Sequence, residues 1–257
     1  MKIIVSLILL LLGSFSISAQ ILHQGFLNDY KVGDTLERHV YSDKKETGKL
    51  KIWAGAFSSK PNEMPSPEVI SGLSYEGYNE GGNAIKLGLP EGIKGARLST
   101  YTMTEGKEFS KGALYLTCLM KIDKIGSKTP HDLLCMSPSV VGGSNRASIL
   151  VRRSADSSKI LHIGCSLQKD RGEIDKTFEL GKTYLVVLKL DYVNQCSSLW
   201  INPNLAAGET EPDLIVKNTA ENPVKSAIRG ITLRNRNGLE GSIGSMRMTR
   251  SWASISE

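Results

Sequence analysis

The chain has 257 residues, with 32 Lys and Arg against 26 Asp and Glu, which gives a formal net charge of +6. This excess is mild and no long run of Lys or Arg stands out, so the composition does not support nucleic acid as a partner. Only 6% of the residues are aromatic, which is a low content for a dedicated lectin.

The first predicted element is a targeting segment over residues 1–19. Lys2 supplies its charge, and the apolar run from Ile3 to Leu12 is about ten residues long, whereas a bilayer span needs roughly 20. The segment from Gly13 to Ala19 is small and polar enough for a cleavage region, although Ile17 is larger than usual there. The sequence therefore predicts a signal peptide and a secreted or periplasmic protein without a transmembrane anchor. An uncleaved N-terminal anchor stays open as the alternative. Residues 20–257 suit one large all-β domain better than two small ones.

Strand patterns recur along the rest of the chain, whereas sustained helical spacing of apolar residues is almost absent. The clearest predicted strands lie near 50–56, 83–88, 96–101, 112–123, 132–137, 147–153, 159–168, 183–192, 196–202, 228–235 and 242–250. Turns such as Gly-Gly at 81–82 and 142–143 and Asn-Gly at 237–238 separate them. This organisation predicts an all-β fold, a two-sheet antiparallel β-sandwich of the jelly-roll type. The polar segments 28–49 and 204–226 are predicted to be surface excursions.

Residues 181–203 carry the strongest strand pattern and predict a hairpin that ends in Trp-Ile-Asn-Pro. The predicted buried face of its first strand consists of Tyr184, Val186, Leu188, Leu190 and Tyr192. The strand at 114–123 alternates in the same way, with a predicted core face of Leu114, Leu116, Cys118, Met120 and Ile122. Its other face is mixed in polarity, as a concave and partly wet sheet face would be.

Several segments together carry a family resemblance. In chain order they are L-H-Q-G-F at 22–26, G-L-S-Y at 72–75, G-G-N-A at 81–84, A-L-Y-L-T-C-L-M at 113–120, the hairpin Y-L-V-V-L-K-L-D-Y with S-L-W-I-N-P, and M-R-M-T-R-S-W-A-S-I at 246–255. They resemble the exported bacterial concanavalin A-like (laminin-G-like) domains, which share the lectin and glucanase fold and occur in glycan-using bacteria. The resemblance implies a concanavalin A-like jelly roll in the bacterial cell envelope and no defined activity. Members often have acidic residues before the last strand, where this chain has Gly244 and Ser245.

Three acidic residues, Glu173, Asp175 and Glu179, are the weak catalytic candidates. Glycoside hydrolysis needs two carboxylates about 5–5.5 Å apart when configuration is retained. Laminarinase-type glucanases of the same fold carry Glu-x-Asp-x-x-Glu on one strand, whereas the last Glu here comes one residue later. The flanking Gln-Lys-Asp-Arg-Gly and Glu-Leu-Gly-Lys-Thr predict a charged turn, so no catalytic residue is assigned.

Aromatic side chains are the second route to a site, because sugar rings stack on exposed aromatic faces. The candidate ligand-binding residues are Trp53, Tyr78, Tyr115, Trp200 and Arg152. Arg153, Arg234 and Arg236 are further arginines that could contact a carboxylate or a sulfate. Trp252 is predicted to seal the edge of the sandwich.

Metal and cysteine chemistry is only weakly indicated. No organic cofactor is predicted, and Ca²⁺ stays open because oxygen ligands are available in loops at Asp29, Asp34, Asn79, Glu80 and Asn83. The four cysteines, Cys118, Cys135, Cys165 and Cys196, lack zinc spacing. Buried free thiols are favoured over disulfides, because each cysteine is predicted to lie within a strand. All four histidines are predicted to be structural.

The function that these patterns favour is an exported, non-catalytic glycan-binding or cell-envelope accessory protein. A divergent glycoside hydrolase or polysaccharide lyase acting on the concave sheet face is the first alternative. A structural or protein-interaction module without a sugar ligand is the second.

Overall fold

The computed structural model describes residues 21–43, 49–56, 64–78, 80–139 and 145–257. The predicted signal peptide, Asn79 and the Gly-Gly turn at 142–143 lie outside the described residues. Within these ranges no helix has the length and apolar character needed to cross a bilayer.

The described chain is built almost entirely of strands. They are β1 (Ile21–Gln24), β2 (His39–Val40), β3 (Trp53–Gly55), β4 (Val69–Ile70), β5 (Ala84–Leu87), β6 (Ala96–Thr102), β7 (Ala113–Ile125), β8 (His131–Ser137), β9 (Ala147–Arg153), β10 (Ile160–Leu167), β11 (Asp170–Glu173), β12 (Phe178–Glu179), β13 (Thr183–Asp191), β14 (Cys196–Ile201), β15 (Leu214–Lys217), β16 (Gly230–Arg236) and β17 (Leu239–Thr249). Two short 3₁₀ turns, Leu205–Ala207 and Ala253–Ile255, complete the described elements.

The strands form two sheets. The eight-stranded sheet has the order β15-β14-β13-β7-β17-β5-β4, with β1 also paired to β17. The nine-stranded sheet has the order β11-β10-β9-β8-β16-β6-β3-β2, with β12 also paired to β10. The pairs are antiparallel apart from β2 with β3. The predicted two-sheet antiparallel sandwich is therefore confirmed.

One large apolar core lies between the sheets, and strand alternation decides which side chains enter it. The predicted core face of the first hairpin strand has four residues on β13 and Tyr192 just after it, and all five belong to this core. The five predicted core residues of β7 belong to it as well. Leu116 and Leu188 are fully buried, and burial of such a side chain contributes roughly 1.5–3 kcal/mol. The alternation of apolar residues thus correctly predicted the inner face of β7 and of β13.

The two segments predicted as surface excursions are more ordered than expected. In 28–49, the side chains of Leu36 and Tyr41 are buried, and the buried carboxylate of Glu37 pairs with Arg97 on β6. In 204–226, β15 extends the eight-stranded sheet by pairing with β14. The prediction was wrong there because short edge strands and buried ion pairs depend on partners distant in sequence, which local polarity does not reveal.

Candidate functional site

Each sheet has an outer face that could carry a site, and the outer face of the eight-stranded sheet is largely covered by the chain itself. A second apolar cluster lies on it, formed by Tyr78, Tyr115, Leu119, Leu185, Val187, Trp200, Leu205, Trp252 and Ile255. The prediction of a partly wet face on β7 is wrong for its centre, because Tyr115 is only 3% exposed and Leu119 is fully buried.

The loop after the hairpin helps to form this cover. Asn202 has a φ of +55°, a left-handed conformation that Asn tolerates better than most residues. Its side-chain Oδ1 accepts a hydrogen bond from the Leu185 backbone N–H at 2.9 Å. This tie directs the following loop back over the outer face of β13 and β14.

The two tryptophans of the cluster make their contacts within the protein. The rings of Trp200 and Trp252 meet edge to face with their centroids 5.0 Å apart. Trp200 Nε1 donates to the Thr210 carbonyl at 2.9 Å, and Trp252 Nε1 donates to the Leu205 carbonyl at 3.4 Å. Trp252 therefore lies on the sheet face, not at the sandwich edge as predicted, and neither ring is exposed enough to stack on a sugar.

The two candidate tyrosines are likewise satisfied within the fold. Tyr78 donates its hydroxyl proton to the Ser245 carbonyl at 2.9 Å, and Tyr115 donates to the Glu209 carboxylate at 2.7 Å. Burial raises the pKa of both phenols. Their hydrogen-bonding groups face the protein and not a ligand.

Trp53 lies in the main core between the sheets. Its side chain is fully buried, its Nε1 donates to the Phe26 carbonyl at 3.0 Å, and its ring lies 5.6 Å from that of Tyr101. A side chain in this position has no surface with which to contact a glycan.

Arg152 has a different environment, on the outer face of the nine-stranded sheet. It lies opposite His162 on β10. Glu173 on β11 lies opposite Gly164, which is two residues after His162 on β10. Arg152 Nε donates to Glu173 Oε1 at 2.7 Å, and Nη2 donates to Oε2 at 2.6 Å. The Arg152 and Glu173 side chains remain 21% and 26% exposed, so this forked pair is accessible to a ligand.

The three candidate catalytic carboxylates do not share one strand. Glu173 ends β11, Glu179 ends β12, and the exposed Asp175 lies in the turn between them. Glu179 pairs with Lys182 at 2.7 Å and is largely exposed. The segment is thus a charged turn between two short strands that both pair with β10.

A second charged group on this sheet was not predicted as a unit. Arg234 Nη1 on β16 lies 3.6 Å from Asp132 Oδ2 on β8. Arg236 lies two residues further along β16, and Arg171 Nη1 donates to the Pro130 carbonyl at 3.4 Å, just before β8. In the sequence these arginines are isolated residues, and only the strand order brings them together near Asp132. We call Arg152, Glu173, His162, Asp132, Arg171, Arg234 and Arg236 together the basic face.

Two of the loop residues considered for Ca²⁺, Glu80 and Asn83, are engaged in other contacts. Glu80 Oε2 accepts from Arg247 Nη2 at 2.7 Å, and its Oε1 accepts from the Gly25 backbone N–H at 3.1 Å. Asn83 donates its amide to the Tyr30 carbonyl at 2.7 Å. Across the described ranges no three His, Cys, Asp or Glu side chains gather as a metal site. Calcium binding stays a prediction without an assigned set of ligands.

The four cysteines are free thiols in the structure. Three of them are buried within strands, whereas Cys196 is half-buried and begins β14. Burial raises the pKa of Cys135 and of Cys165 to about 12, so these thiols are protonated and poorly nucleophilic at neutral pH.

No family model matches the chain, and no curated protein matches it. Among solved structures, a protein titled sialidase matches 84% of this chain with 18% of its own length, at 12% identity and a TM-score of 0.46. The binding domain of botulinum neurotoxin serotype D matches 89% of the chain with 50% of its own length, at 13% identity and a TM-score of 0.44. A pentraxin from Limulus polyphemus matches 67% of the chain with 79% of its own length, at 13% identity and a TM-score of 0.42. Because these likenesses are so distant, function must be inferred from this chain's own residues, and the concanavalin A-like family resemblance stays a prediction.

Proposed function

We propose that the chain is an exported glycan-binding protein of the bacterial cell envelope that uses the basic face as its binding surface and performs no catalysis. The observation that carries this proposal is the forked Arg152–Glu173 pair, which is accessible on the outer face of a sheet. Strands hold such groups more rigidly than loops do. Arginine, carboxylate and imidazole groups on one face supply both donors and acceptors for sugar hydroxyls.

The spacing of the acidic residues on this face favours binding over glycoside hydrolysis. In the sheet register Glu173 lies opposite Gly164, Gly164 opposite Leu150, and Leu150 opposite Asp132. Three strand spacings of about 4.8 Å separate the backbones of Glu173 and Asp132 by roughly 14 Å. Paired glycosidase carboxylates are about 5–9.5 Å apart, and each of these two is turned toward its own arginine.

A screen of the mature chain, residues 20–257, against immobilised polysaccharides tests the proposal. We expect retention of at least one polysaccharide, with no new reducing ends after prolonged incubation with it. Release of reducing ends that is lost in Glu173→Gln would instead establish a hydrolase or lyase. Failure to bind any glycan would favour the protein-interaction alternative.

Export is a separate part of the proposal, motivated by the pattern of residues 1–19. N-terminal sequencing of the protein from the envelope fraction of an expressing bacterium should begin at Gln20. A product that keeps Met1 in the membrane fraction would favour an uncleaved anchor.

A further inference from the structure

One end of the basic face has more positive charge than its own carboxylate neutralises. Arg236 lies near the charges of Arg234, Arg171 and Asp132, and Arg234 Nη1 lies 3.6 Å from Asp132 Oδ2. The charges of Arg234 and Arg171 both act on Arg236, together with the opposing charge of Asp132. Three cations and one anion leave this arginine cluster with a net charge of about +2 at neutral pH.

Arg236 is the member of the cluster with the least compensation. Its Nε is buried and has no hydrogen-bond partner among the described residues. Burial, followed by the charge of Arg234, lowers the pKa of the Arg236 guanidinium. Charged donors removed from water without a hydrogen-bond partner cost free energy, and a buried unsatisfied donor calls for a specific explanation such as an absent ion or water.

The space beside the cluster at the end of the sandwich has room for about one water molecule, so a carboxylate or sulfate group would meet the guanidiniums from the solvent side. A small cavity is lined by Arg236, Asp132 and His131, together with Val151 and Leu239 from the sandwich end. Burial lowers the pKa of His131, and the charge of Arg236 adds to this effect. With its pKa lowered the imidazole adds little positive charge at pH 7, and Arg236 supplies the cationic character of the cavity rim.

The cluster is continuous with the Arg152–Glu173 pair. Arg152 lies on β9, and Arg234 lies on β16, two strands away in the sheet order. Two strand spacings across the sheet, together with an offset of about three residues along the strands, place these backbones roughly 14 Å apart. One extended chain of sugars crossing the strands can therefore reach both.

We infer that the ligand is an acidic polysaccharide, whose carboxylate or sulfate group is bound by Arg171, Arg234 and Arg236 at the end of the basic face. This inference rests on the proposed glycan-binding function and adds the chemical class of the ligand. The planar guanidinium fork matches the paired oxygens of both groups. A neutral sugar would satisfy the donors but would leave the charge uncompensated.

Dextran, carboxymethyl-dextran and dextran sulfate share one backbone and differ in charge, so affinity electrophoresis with all three tests the inference. We expect retardation by one or both charged polymers and at least about tenfold weaker binding to uncharged dextran, because a charge-assisted hydrogen bond contributes about 1.5–3 kcal/mol. Retardation by carboxymethyl-dextran alone identifies a carboxylate ligand, and retardation by dextran sulfate alone identifies a sulfate ligand.

Two variants separate site binding from general attraction to polyanions. Arg236→Gln should weaken binding to the charged polymer by about tenfold without lowering the thermal midpoint, because the half-buried guanidinium that it removes lies near like charges and its Nε makes no hydrogen bond among the described residues. Lys159→Gln removes an equal charge from an exposed turn residue outside the basic face, and should change binding by less than about twofold.

Equal weakening by Arg236→Gln and Lys159→Gln would overturn the inference, as would equal affinity for the three dextrans. If neutral glycans bind and charge has no effect, the glycan-binding function stands and only the acidic ligand class fails. If no glycan of any kind binds, both fail together.

Discussion

His23 shows how one side chain can make the fold sensitive to pH. Its ring packs against Phe26 and Tyr101 with centroids 4.4 and 4.9 Å away, and its Nε2 is buried without a hydrogen-bond partner. Burial, followed by the charge of Lys51, lowers the pKa of His23 to about 4 from 6.5. The residue was predicted to be structural, and this position at the core agrees with that role.

The stability of the protein should therefore fall as pH decreases from 6.5 toward 4. In this window the unfolded chain binds a proton at His23 and the folded chain does not, so protonation favours unfolding. We expect His23→Phe to reduce the loss of unfolding free energy between pH 7 and pH 5 by on the order of 1 kcal/mol, after allowing for partial exposure. Urea unfolding at both pH values measures this, with the half-exposed His162→Gln as the matched control. An identical loss in wild type and His23→Phe would contradict the assignment.

Among single residues, Arg152 was predicted to contact a ligand, which stays a prediction, and the structure shows that its side chain is partly exposed. The candidate aromatics Trp53, Tyr78, Tyr115 and Trp200 are buried instead. In β14 strand alternation turns Trp200 away from Leu199 and Ile201, which face the main core, and the structure has this arrangement. It could not predict that Trp252 would lie over Trp200, because alternation separates two faces of a strand without indicating what covers either one. The charged residues beside Glu173 correctly predicted a turn, because they interrupt the alternation of apolar and polar residues.

At the scale of elements, the C-terminal segment is a structural cover for the eight-stranded sheet. Trp252 is 6% exposed and contacts both Trp200 and Tyr115. We expect Trp252→Ala to lower the free energy of unfolding by about 3–5 kcal/mol, as for other buried aromatics. The exposed Ser256→Ala should have little effect, and chemical denaturation of both variants checks this. A loss below about 1 kcal/mol in Trp252→Ala would show that the segment is not packed in solution.

The burial of the tryptophans predicts how tryptophan fluorescence responds to a ligand. All three tryptophans of the chain are at most 6% exposed, and none belongs to the basic face. Saturation with a bound polysaccharide should leave the position of the emission maximum unchanged, whereas acrylamide should quench the protein weakly. A shift of the maximum on binding would point to aromatic stacking and against the basic face.

For the molecule as a whole, the all-β sandwich was predictable, because period-2 alternation and polar turns are local signals. The strand order was not predictable, since pairing of β8 with β16 or of β7 with β17 joins segments about 90 to 130 residues apart in sequence and local patterns carry no such information. The basic face depends on that order. From the sequence, its arginines and acidic residues could be recognised one by one, but not their position on one face.

Ligand binding is proposed to use the basic face and not the opposite sheet. Isothermal titration of whichever polysaccharide the screen retains, with Arg152→Gln and Lys217→Gln compared to wild type, tests this most directly. Lys217 lies on the outer face of the eight-stranded sheet, beside Trp200 and Glu209 in an open hollow. We predict that Arg152→Gln weakens binding by about tenfold, whereas Lys217→Gln changes it by less than about twofold. Loss of binding in Lys217→Gln with wild-type affinity in Arg152→Gln would contradict the account.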